Sequence, residues 1–228
     1  MFLRFNKNIY DAETSPIRKI GEYYKKNGAV KTVLWVADKS IKKIINITKF
    51  DILEKSIAGN IPFIKAKIDV TFRIAEVKDM DYFKEILKPW HVWLRILKKR
   101  FEKRQTCIIC FHKKRAIGYI WISFVSETDR KLGLTVRPLS NESYGFDLFV
   151  LPEYRKYLVG YELISRWLQY SKSFGKEKVI GVVREFNKPM QITTKIVFGF
   201  KMREKYRSVE FFNKRGFIIS SRKIGTHT

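Results

Sequence analysis

The pattern of hydrophobic and polar residues predicts a mixed α/β domain over the last two thirds of the chain. Asp69–Val77 alternates apolar and polar side chains, which is typical of a half-buried strand. Further strands are predicted at Cys107–Phe111, Ala116–Phe124, Ser143–Leu151, Lys178–Val183, Phe200–Tyr206 and Ser208–Arg215. Helices are predicted after Asp79 and over Trp90–Arg104, Arg155–Phe174 and Pro189–Phe198. This order indicates an antiparallel start followed by one strand–helix–strand crossover.

The first 67 residues differ from the rest of the chain in the elements that their sequence predicts. Pro16 to Asn27 reads as a short helix, preceded by Ser15 and ended by Gly28. Lys31–Ala37 and Ile41–Thr48 are rich in β-formers and predict a hairpin. Because Ala58–Pro62 has turn chemistry, we divide the chain into an N-terminal α/β extension of unknown role, residues 1–67, and a main domain, residues 68–228.

Composition adds a strong positive charge to this picture. The 228 residues include 47 Lys and Arg against 22 Asp and Glu, a net charge of +25. With 45% hydrophobic and 15% aromatic residues the chain is not of the disordered class, and no run approaches 18 apolar residues. The N-terminus lacks a signal-peptide pattern, and two cysteines are too few for a disulfide-stabilised fold. We therefore expect a cytoplasmic protein. The charge favours an anionic partner: a phosphorylated cofactor, a nucleic acid or an acidic membrane surface.

One segment combines strand, turn and helix signals in a way that indicates anion binding. The strand that ends at Leu151 is followed by Pro152-Glu153-Tyr154-Arg155-Lys156, which opens directly into a helix. The free amides at a helix N-terminus, with Arg155 and Lys156 beside them, suit a pyrophosphate. Gly160 allows close approach of the backbone.

Val150-Leu151-Pro152-Glu153-Tyr154-Arg155 followed by Gly160 resembles the acetyl-CoA-binding motif of the GNAT superfamily of N-acetyltransferases. The later pieces Val182-Val183-Arg184-Glu185-Phe186-Asn187, Pro189-Met190 and Gly199-Phe200 are similar to the same family. The resemblance runs from about Ile68 to the C-terminus. It implies a GNAT-like, mostly antiparallel sheet flanked by helices, with the acyl-CoA lying between the strands that end near Val150 and Val183.

The resemblance also implies a set of contacts with acetyl-CoA, and no metal. The pantetheine arm pairs with the backbone of Leu148, Phe149 and Val150. The pyrophosphate lies against the turn and helix start, at Arg155, Lys156, Tyr157, Leu158, Val159, Gly160 and Tyr161. Asn187 faces the cofactor or orders the next loop. An amine attacks the thioester directly, while a base takes its proton and backbone amides bind the oxyanion.

Two positions depart from the family pattern. Leu158 stands where the pattern has its first glycine, which makes one phosphate-facing amide less accessible. The segment Thr193–Phe198 lacks the tyrosine that serves many members as general acid. The acid is therefore either unassigned or unnecessary, since a thiolate is a good leaving group.

Three carboxylates are candidates for the general base: Asp147 and Glu142 on or near the central strand, and Glu185 after the next strand. For each, an ordinary solvated or paired role is the competing interpretation. Cys107 and Cys110 point to opposite faces of a strand, which favours a core role over a metal site. Among the histidines, packing is favoured for His91 and exposure for His112 and His227.

The acceptor is predicted to be a primary amine. Amino sugars of surface-polysaccharide assembly are our hypothesis, because sugar-nucleotide or lipid-phosphate acceptors suit a basic protein face. The apolar stripe of Trp90–Arg104 fits a core, with an anionic membrane surface as the alternative partner. The competing hypothesis is a non-catalytic module that binds RNA or an anionic surface, although no nucleic-acid module is recognisable. Arg155 and Lys156 account for little of the charge, so we expect a further anionic contact.

Overall fold

Ten strands and five α-helices make up the residues that the computed structural model describes, 16–87, 90–129, 134–211 and 214–223. The α-helices are α1 (Pro16–Ile44), α2 (Met80–Ile86), α3 (Trp90–Glu102), α4 (Val159–Ser173) and α5 (Lys188–Ile192). The strands are β1 (Ile45–Ser56), β2 (Thr71–Ile74), β3 (Thr106–His112), β4 (Arg115–Ser123), β5 (Glu127–Asp129), β6 (Leu134–Val136), β7 (Glu142–Val150), β8 (Lys178–Arg184), β9 (Lys201–Phe211) and β10 (Lys214–Lys223). Short 3-10 helices cover Val77–Asp79 and Pro152–Tyr157, and a π-helix covers Thr193–Val197.

Eight of these strands form one sheet in the order β10-β9-β1-β8-β7-β4-β3-β2. Antiparallel pairing joins β2 to β3, β3 to β4, β4 to β7 and β1 to β8, whereas β7 and β8 run parallel. The parallel pair is connected through α4, as a parallel pair requires a crossover. The predicted mostly antiparallel α/β architecture is therefore confirmed.

The two faces of the sheet are covered by different helices. Along β3, Ile108 and Cys110 belong to one buried cluster and Cys107 and Ile109 to another, as expected when side chains alternate between faces. The first cluster includes the buried α4 residues Leu163, Ile164, Trp167 and Leu168. The second includes Phe83 and Ile86 of α2 and Leu97 of α3. Helix α4 thus lies on one face, and α2 and α3 lie on the other.

A small hairpin, β5–β6, was not anticipated from the sequence. Its Leu134 and Val136 are buried against Tyr144 of β7, in a cluster with Phe50 and Ile180. Three-residue strands carry too short an alternation to stand out in a sequence.

Contacts divide the chain into two compact units, residues 1–47 with 209–217, and residues 48–208 with 218–228. The division falls near residue 48, whereas the sequence analysis puts a boundary near residue 67. Strand β1 lies before that expected boundary and pairs with β8 from Phe50↔Arg184 to Ser56↔Lys178. The segment from Thr48 onward is therefore part of the main sheet.

In the smaller unit, α1 is interrupted at Gly28, which has φ 80° and ψ 172°. Tyr23 and Trp35 lie 12 residues apart, about 18 Å along a straight helix, yet their rings stack at 4.9 Å. The two halves of α1 therefore fold back on each other at Gly28. This confirms the predicted helix end at Gly28, while Ser15 lies outside the described residues.

The predicted hairpin of Lys31–Ala37 and Ile41–Thr48 is wrong, because α1 continues to Ile44 and only then does β1 begin. Short runs of β-branched residues do not distinguish a strand from a helix. Here Thr32 donates its hydroxyl hydrogen to the Gly28 carbonyl at 2.8 Å, a bond that suits threonine in a helix. Pro89, the predicted interruption before α3, lies outside the described residues. None of the described helices combines the length and apolar character needed to cross a membrane.

Gly145 of β7 leaves room for the indole of Trp167 from α4. A Cβ at Gly145 would lie 2.7 Å from Cδ2 of that ring and closer still to two other ring atoms. We expect Gly145→Ala to lower the free energy of unfolding by about 1–3 kcal/mol, because the core would be overpacked. Gly181→Ala is the matched control, since a Cβ there meets the same ring at an ordinary 3.8 Å. Urea unfolding measures both, and equal losses would contradict this account.

Candidate active site

The central feature of the site is a gap between the parallel strands β7 and β8. Their pairing runs from Glu142↔Lys178 to Gly145↔Gly181 and then stops, although β7 continues to Val150 and β8 to Arg184. Within the described residues, no pairing joins the ends of these strands. The backbone of β7 beyond Gly145 is thus available on that side to an extended ligand.

A bulge in β7 accounts for this separation. The register between β4 and β7 shifts between Tyr119↔Phe149 and Trp121↔Phe146, and Asp147 has a left-handed φ of 51°. A bulge bends its strand and increases the local twist. The end of β7 therefore follows β4 and leaves β8.

The turn after β7 leads directly to the N-terminus of α4. Pro152–Tyr157 forms a 3-10 helix, Leu158 is left-handed (φ 60°, ψ 18°) and α4 begins at Val159. The amides of Val159 and Gly160 belong to the first turn of α4 and have no partner within the helix. Leu158 therefore adopts the left-handed backbone that a glycine would adopt without strain, so the turn persists without the glycine.

Arg155 and Lys156 flank this helix start. Nε of Arg155 donates a hydrogen bond to the Val150 carbonyl at 3.1 Å, which holds the guanidinium at the end of β7. Nζ of Lys156 lies 5.0 Å from the centre of the Tyr157 ring. Both side chains are exposed. Two cations and unpaired amides at one helix end favour a phosphorylated ligand.

The other predicted binding residues lie on β7, on α4 and in the loop after β8. The side chains of Leu148 and Phe149 pack against the buried clusters, and Phe149 stacks on Tyr119 with ring centres 5.7 Å apart. Tyr161 lies edge-on to Phe198 at 6.1 Å. Asn187 caps α5, because its side-chain oxygen accepts a hydrogen bond from the Met190 amide at 3.3 Å. In this structure Asn187 therefore orders the loop after β8.

The three candidate carboxylates have different surroundings. Asp147 lies in the bulge and pairs with Arg100 of α3 at 2.6 Å. Glu185 follows β8, is half-exposed and lies 3.8 Å from Lys49. Glu142 begins β7 at its paired end, is buried, and bonds Arg203 at 2.7 Å and the Leu139 amide at 3.0 Å. Of the three, only Asp147 lies in the bulge itself.

Arg100 was not predicted as a site residue. Its guanidinium lies between the rings of Trp121 and Phe146, 5.0 Å from each ring centre, and its side chain is 12% exposed. It bonds Oδ2 of Asp147, while Oδ1 has no hydrogen-bond partner among the described residues. Within a basic helix, nothing in the sequence distinguishes Arg100 from its exposed neighbours, because the distinction is burial against β4 and β7.

The helix after β8 contains no tyrosine in its C-terminal turn. Lys195 of the π-helix instead pairs with the buried Asp51 of β1 at 2.8 Å, and Gln191 bonds the same carboxylate at 3.1 Å. The polar groups here are thus engaged with β1. This contact depends on β1 lying beside β8, which the sequence order does not indicate.

Cys107 and Cys110 are both buried and reduced, on opposite faces of β3 as predicted. Burial raises the pKa of the Cys110 thiol to about 12 and that of Cys107 well above its ordinary value. Among the described residues there is no cluster of three potential metal ligands. Nδ1–H of His112 donates a hydrogen bond to the Asp69 carbonyl at 2.8 Å, whereas His227 and the His91 side chain lie outside the described residues.

A strand edge without a partner beside a helix N-terminus suits an extended ligand that carries phosphate groups. Residues 72–200, more than half of the chain, match the model of the acetyltransferase (GNAT) family. The chain therefore belongs to the GNAT acetyltransferase family. Members of this family use acetyl-CoA as the acyl donor.

Solved structures of this fold resemble the chain at low sequence identity. A GCN5-related N-acetyltransferase from Sphaerobacter thermophilus has 9% identity and a TM-score of 0.52, and the match covers 82% of this chain and 58% of that protein. A tandem GNAT protein of the clavulanic acid pathway has 13% identity and a TM-score of 0.53, with coverage of 79% and 59%. A GNAT-family protein described as an acetyltransferase from Novosphingobium aromaticivorans has 12% identity and a TM-score of 0.51, with coverage of 76% and 67%. No curated protein sequence matches the chain.

The left-handed backbone at Leu158 generates a prediction for the turn before α4. We expect Leu158→Val to unfold with a free energy about 1–2 kcal/mol lower than that of Leu158→Gly, because a β-branched residue is strained in this conformation. Chemical denaturation of the two variants provides the comparison. Equal stabilities would mean that the turn does not depend on a left-handed residue 158.

Proposed function

We propose that this protein transfers an acetyl group from acetyl-CoA to a primary amine. The observation that carries the proposal is the gap between β7 and β8, which leads directly to the unpaired amides at the start of α4. The pantetheine arm of CoA carries amide groups that an open strand edge can bind, as in strand addition. Its pyrophosphate suits the helix N-terminus with Arg155 and Lys156.

In this proposal the β7 backbone at Leu148, Phe149 and Val150 binds the pantetheine. The pyrophosphate binds at the segment from Arg155 to Tyr161. The acceptor nitrogen attacks the thioester carbonyl, the new N–C bond forms, and the C–S bond breaks to release CoA as a thiolate. A thiol has an ordinary pKa near 8.5, so the thiolate leaves without help from a strong acid.

We assign the general base to Asp147. Arg100 holds Oδ2 of this carboxylate. Oδ1 takes the proton from the attacking amine, directly or through water. The bulge puts Asp147 where β7 leaves β8, which supports this choice over Glu142 at the other end of the strand. Glu185 stays a solvated alternative beside the end of β8.

The proposed acceptor is inferred from the positive charge of α3. Helix α3 carries Arg100 toward Asp147 and has Arg95, Lys98 and Lys99 exposed. An amine that carries phosphate groups suits such a helix. We therefore propose a phosphate-linked amino sugar, as used in surface-polysaccharide assembly, with a sugar nucleotide or a lipid phosphate at an anionic membrane surface as its carrier.

Charge reversal at residue 155 tests the cofactor site. We expect Arg155→Glu to weaken acetyl-CoA binding by about tenfold in calorimetry, through repulsion of the pyrophosphate. Arg95→Glu has the same charge change on the other face of the sheet and should bind like the wild type. Absence of binding by the wild type at millimolar acetyl-CoA would sink the enzyme proposal. Steeply salt-dependent RNA binding would then favour a non-catalytic basic module.

Substitution of the carboxylates tests the base. We expect Asp147→Asn to lower kcat by about 10²–10⁴-fold toward an amine acceptor, with the KM for acetyl-CoA little changed, because the base acts only in the chemical step. Glu185→Gln is the matched control and should retain the wild-type rate. Thiol release, followed with a chromogenic disulfide, reports both rates. If Glu185→Gln is slowed and Asp147→Asn keeps the wild-type rate, the general base is Glu185.

A further inference from the structure

The turn between β3 and β4 carries a patch of positive charge next to the proposed cofactor loop, residues 152–158. His112 pairs with Arg115, so the loop consists of Lys113 and Lys114 alone. Both lysines are exposed, and neither has a hydrogen-bond or ion-pair partner among the described residues. Adjacent like charges in a two-residue loop repel each other unless an anion neutralises them.

Lys113 also has an unusual backbone for its residue type. Its φ is 56°, in the left-handed region where glycine and asparagine are the usual residues of two-residue hairpin loops. A lysine in that conformation costs stability, on the order of 1 kcal/mol. Strain of this kind is typical of positions where the side chain has a function.

The lysines separate two open clefts with aromatic walls. The first, about 450 Å³, is lined by His112, Lys113, Lys114, Arg115 and Tyr154. The second, about 310 Å³, is lined by Thr71, Phe72, Arg73, Tyr82, Phe111 and the same two lysines. The first cleft has fixed walls, since His112 bonds the Asp69 carbonyl at 2.8 Å and its ring lies 5.7 Å from that of Tyr154.

This first cleft adjoins the proposed pyrophosphate site. Tyr154 belongs to the 3-10 helix that leads to Leu158, and Glu153 of the same helix lies 3.4 Å from Arg115 of the hairpin. The strand register supports the same placement, because Val150 pairs with Gly118, three residues after Arg115. The lysine turn and the Arg155 loop therefore lie at one end of the sheet, on either side of a single short segment.

We infer that Lys113 and Lys114 bind the 3′-phosphate on the ribose of CoA, with the nucleoside lying in the cleft against Tyr154. The inference rests on the proposed function. In CoA, the ribose that carries the 5′-pyrophosphate also carries the 3′-phosphate, so a ligand held at the start of α4 has a second anionic group within reach of the hairpin. Ammonium groups without a partner suit this phosphate as point charges.

The test compares CoA with 3′-dephospho-CoA, which lacks only this phosphate. We expect the wild type to bind CoA about tenfold more tightly, a preference that two exposed ion pairs supply. In Lys113→Gln/Lys114→Gln the ratio of the two dissociation constants should fall to near one, with dephospho-CoA binding unchanged. Lys25→Gln/Lys26→Gln, an exposed adjacent pair on α1, has the same charge change and should keep the wild-type ratio. Thermal melting checks that each variant is folded.

The possible results separate this inference from the proposed function. If both ligands bind equally to the wild type, or the lysine variant keeps the wild-type ratio, the lysine site is overturned while acyl-CoA binding stands. If neither ligand binds, the proposed function fails and the lysine site with it. If the ratio stays unchanged but the variant loses affinity for polyuridylate RNA, the turn contacts nucleic acid instead.

Discussion

The whole arrangement depends on where the hydrogen bonds between β7 and β8 end. Up to Gly145 the two strands pair in parallel, and Trp167 of α4 occupies the space that the missing Cβ leaves. Beyond it, the left-handed Asp147 keeps β7 with β4 and away from β8. Backbone groups in a protein interior require partners, so a sheet that opens in this way provides an edge for an extended ligand. In the proposed function, the strand edge that the bulge leaves open is the surface that binds the donor.

The two faces of the sheet contribute different groups around this opening. On one face α4 contributes its N-terminal amides, and the cations of the preceding turn lie beside them. On the other face α3 contributes Arg100, which lies between two aromatic rings and holds the carboxylate of the bulge. A buried guanidinium needs its carboxylate, because an unpaired charge in an aromatic environment is costly. In the proposed function, α4 therefore supports donor binding and α3 supports proton transfer, from opposite faces of the sheet.

Local signals predicted the strand, the turn and the helix that form the proposed donor site. The strand, basic turn and helix around Val150 to Gly160 lie within 20 residues of one another, so propensity and spacing describe them adequately. The base could not be predicted in the same way. Asp147 and Glu142 lie on one strand, and the sequence ranks them equally. Glu142 is engaged by Arg203, 61 residues later, and Asp147 by Arg100, 47 residues earlier. Such pairings depend on strand order, which no local pattern contains.

By itself the sequence determined the fold class, the excess of positive charge and the basic turn before α4, and it carries the motifs that resemble those of the GNAT family. The first three features follow from periodicity, composition and turn chemistry, which act over a few neighbouring residues, whereas the resemblance rests on the motifs themselves. Only the tertiary structure decided that β1 lies beside β8, that residues 31–44 are helical, and that the lysine turn lies next to the cofactor loop. The helical state of residues 31–44 goes with the local fold-back at Gly28, whereas the other two features depend on contacts between segments far apart in the chain. Such long-range contacts contribute to stability only once the sheet has formed. The residues on one segment do not indicate which other segment they will contact.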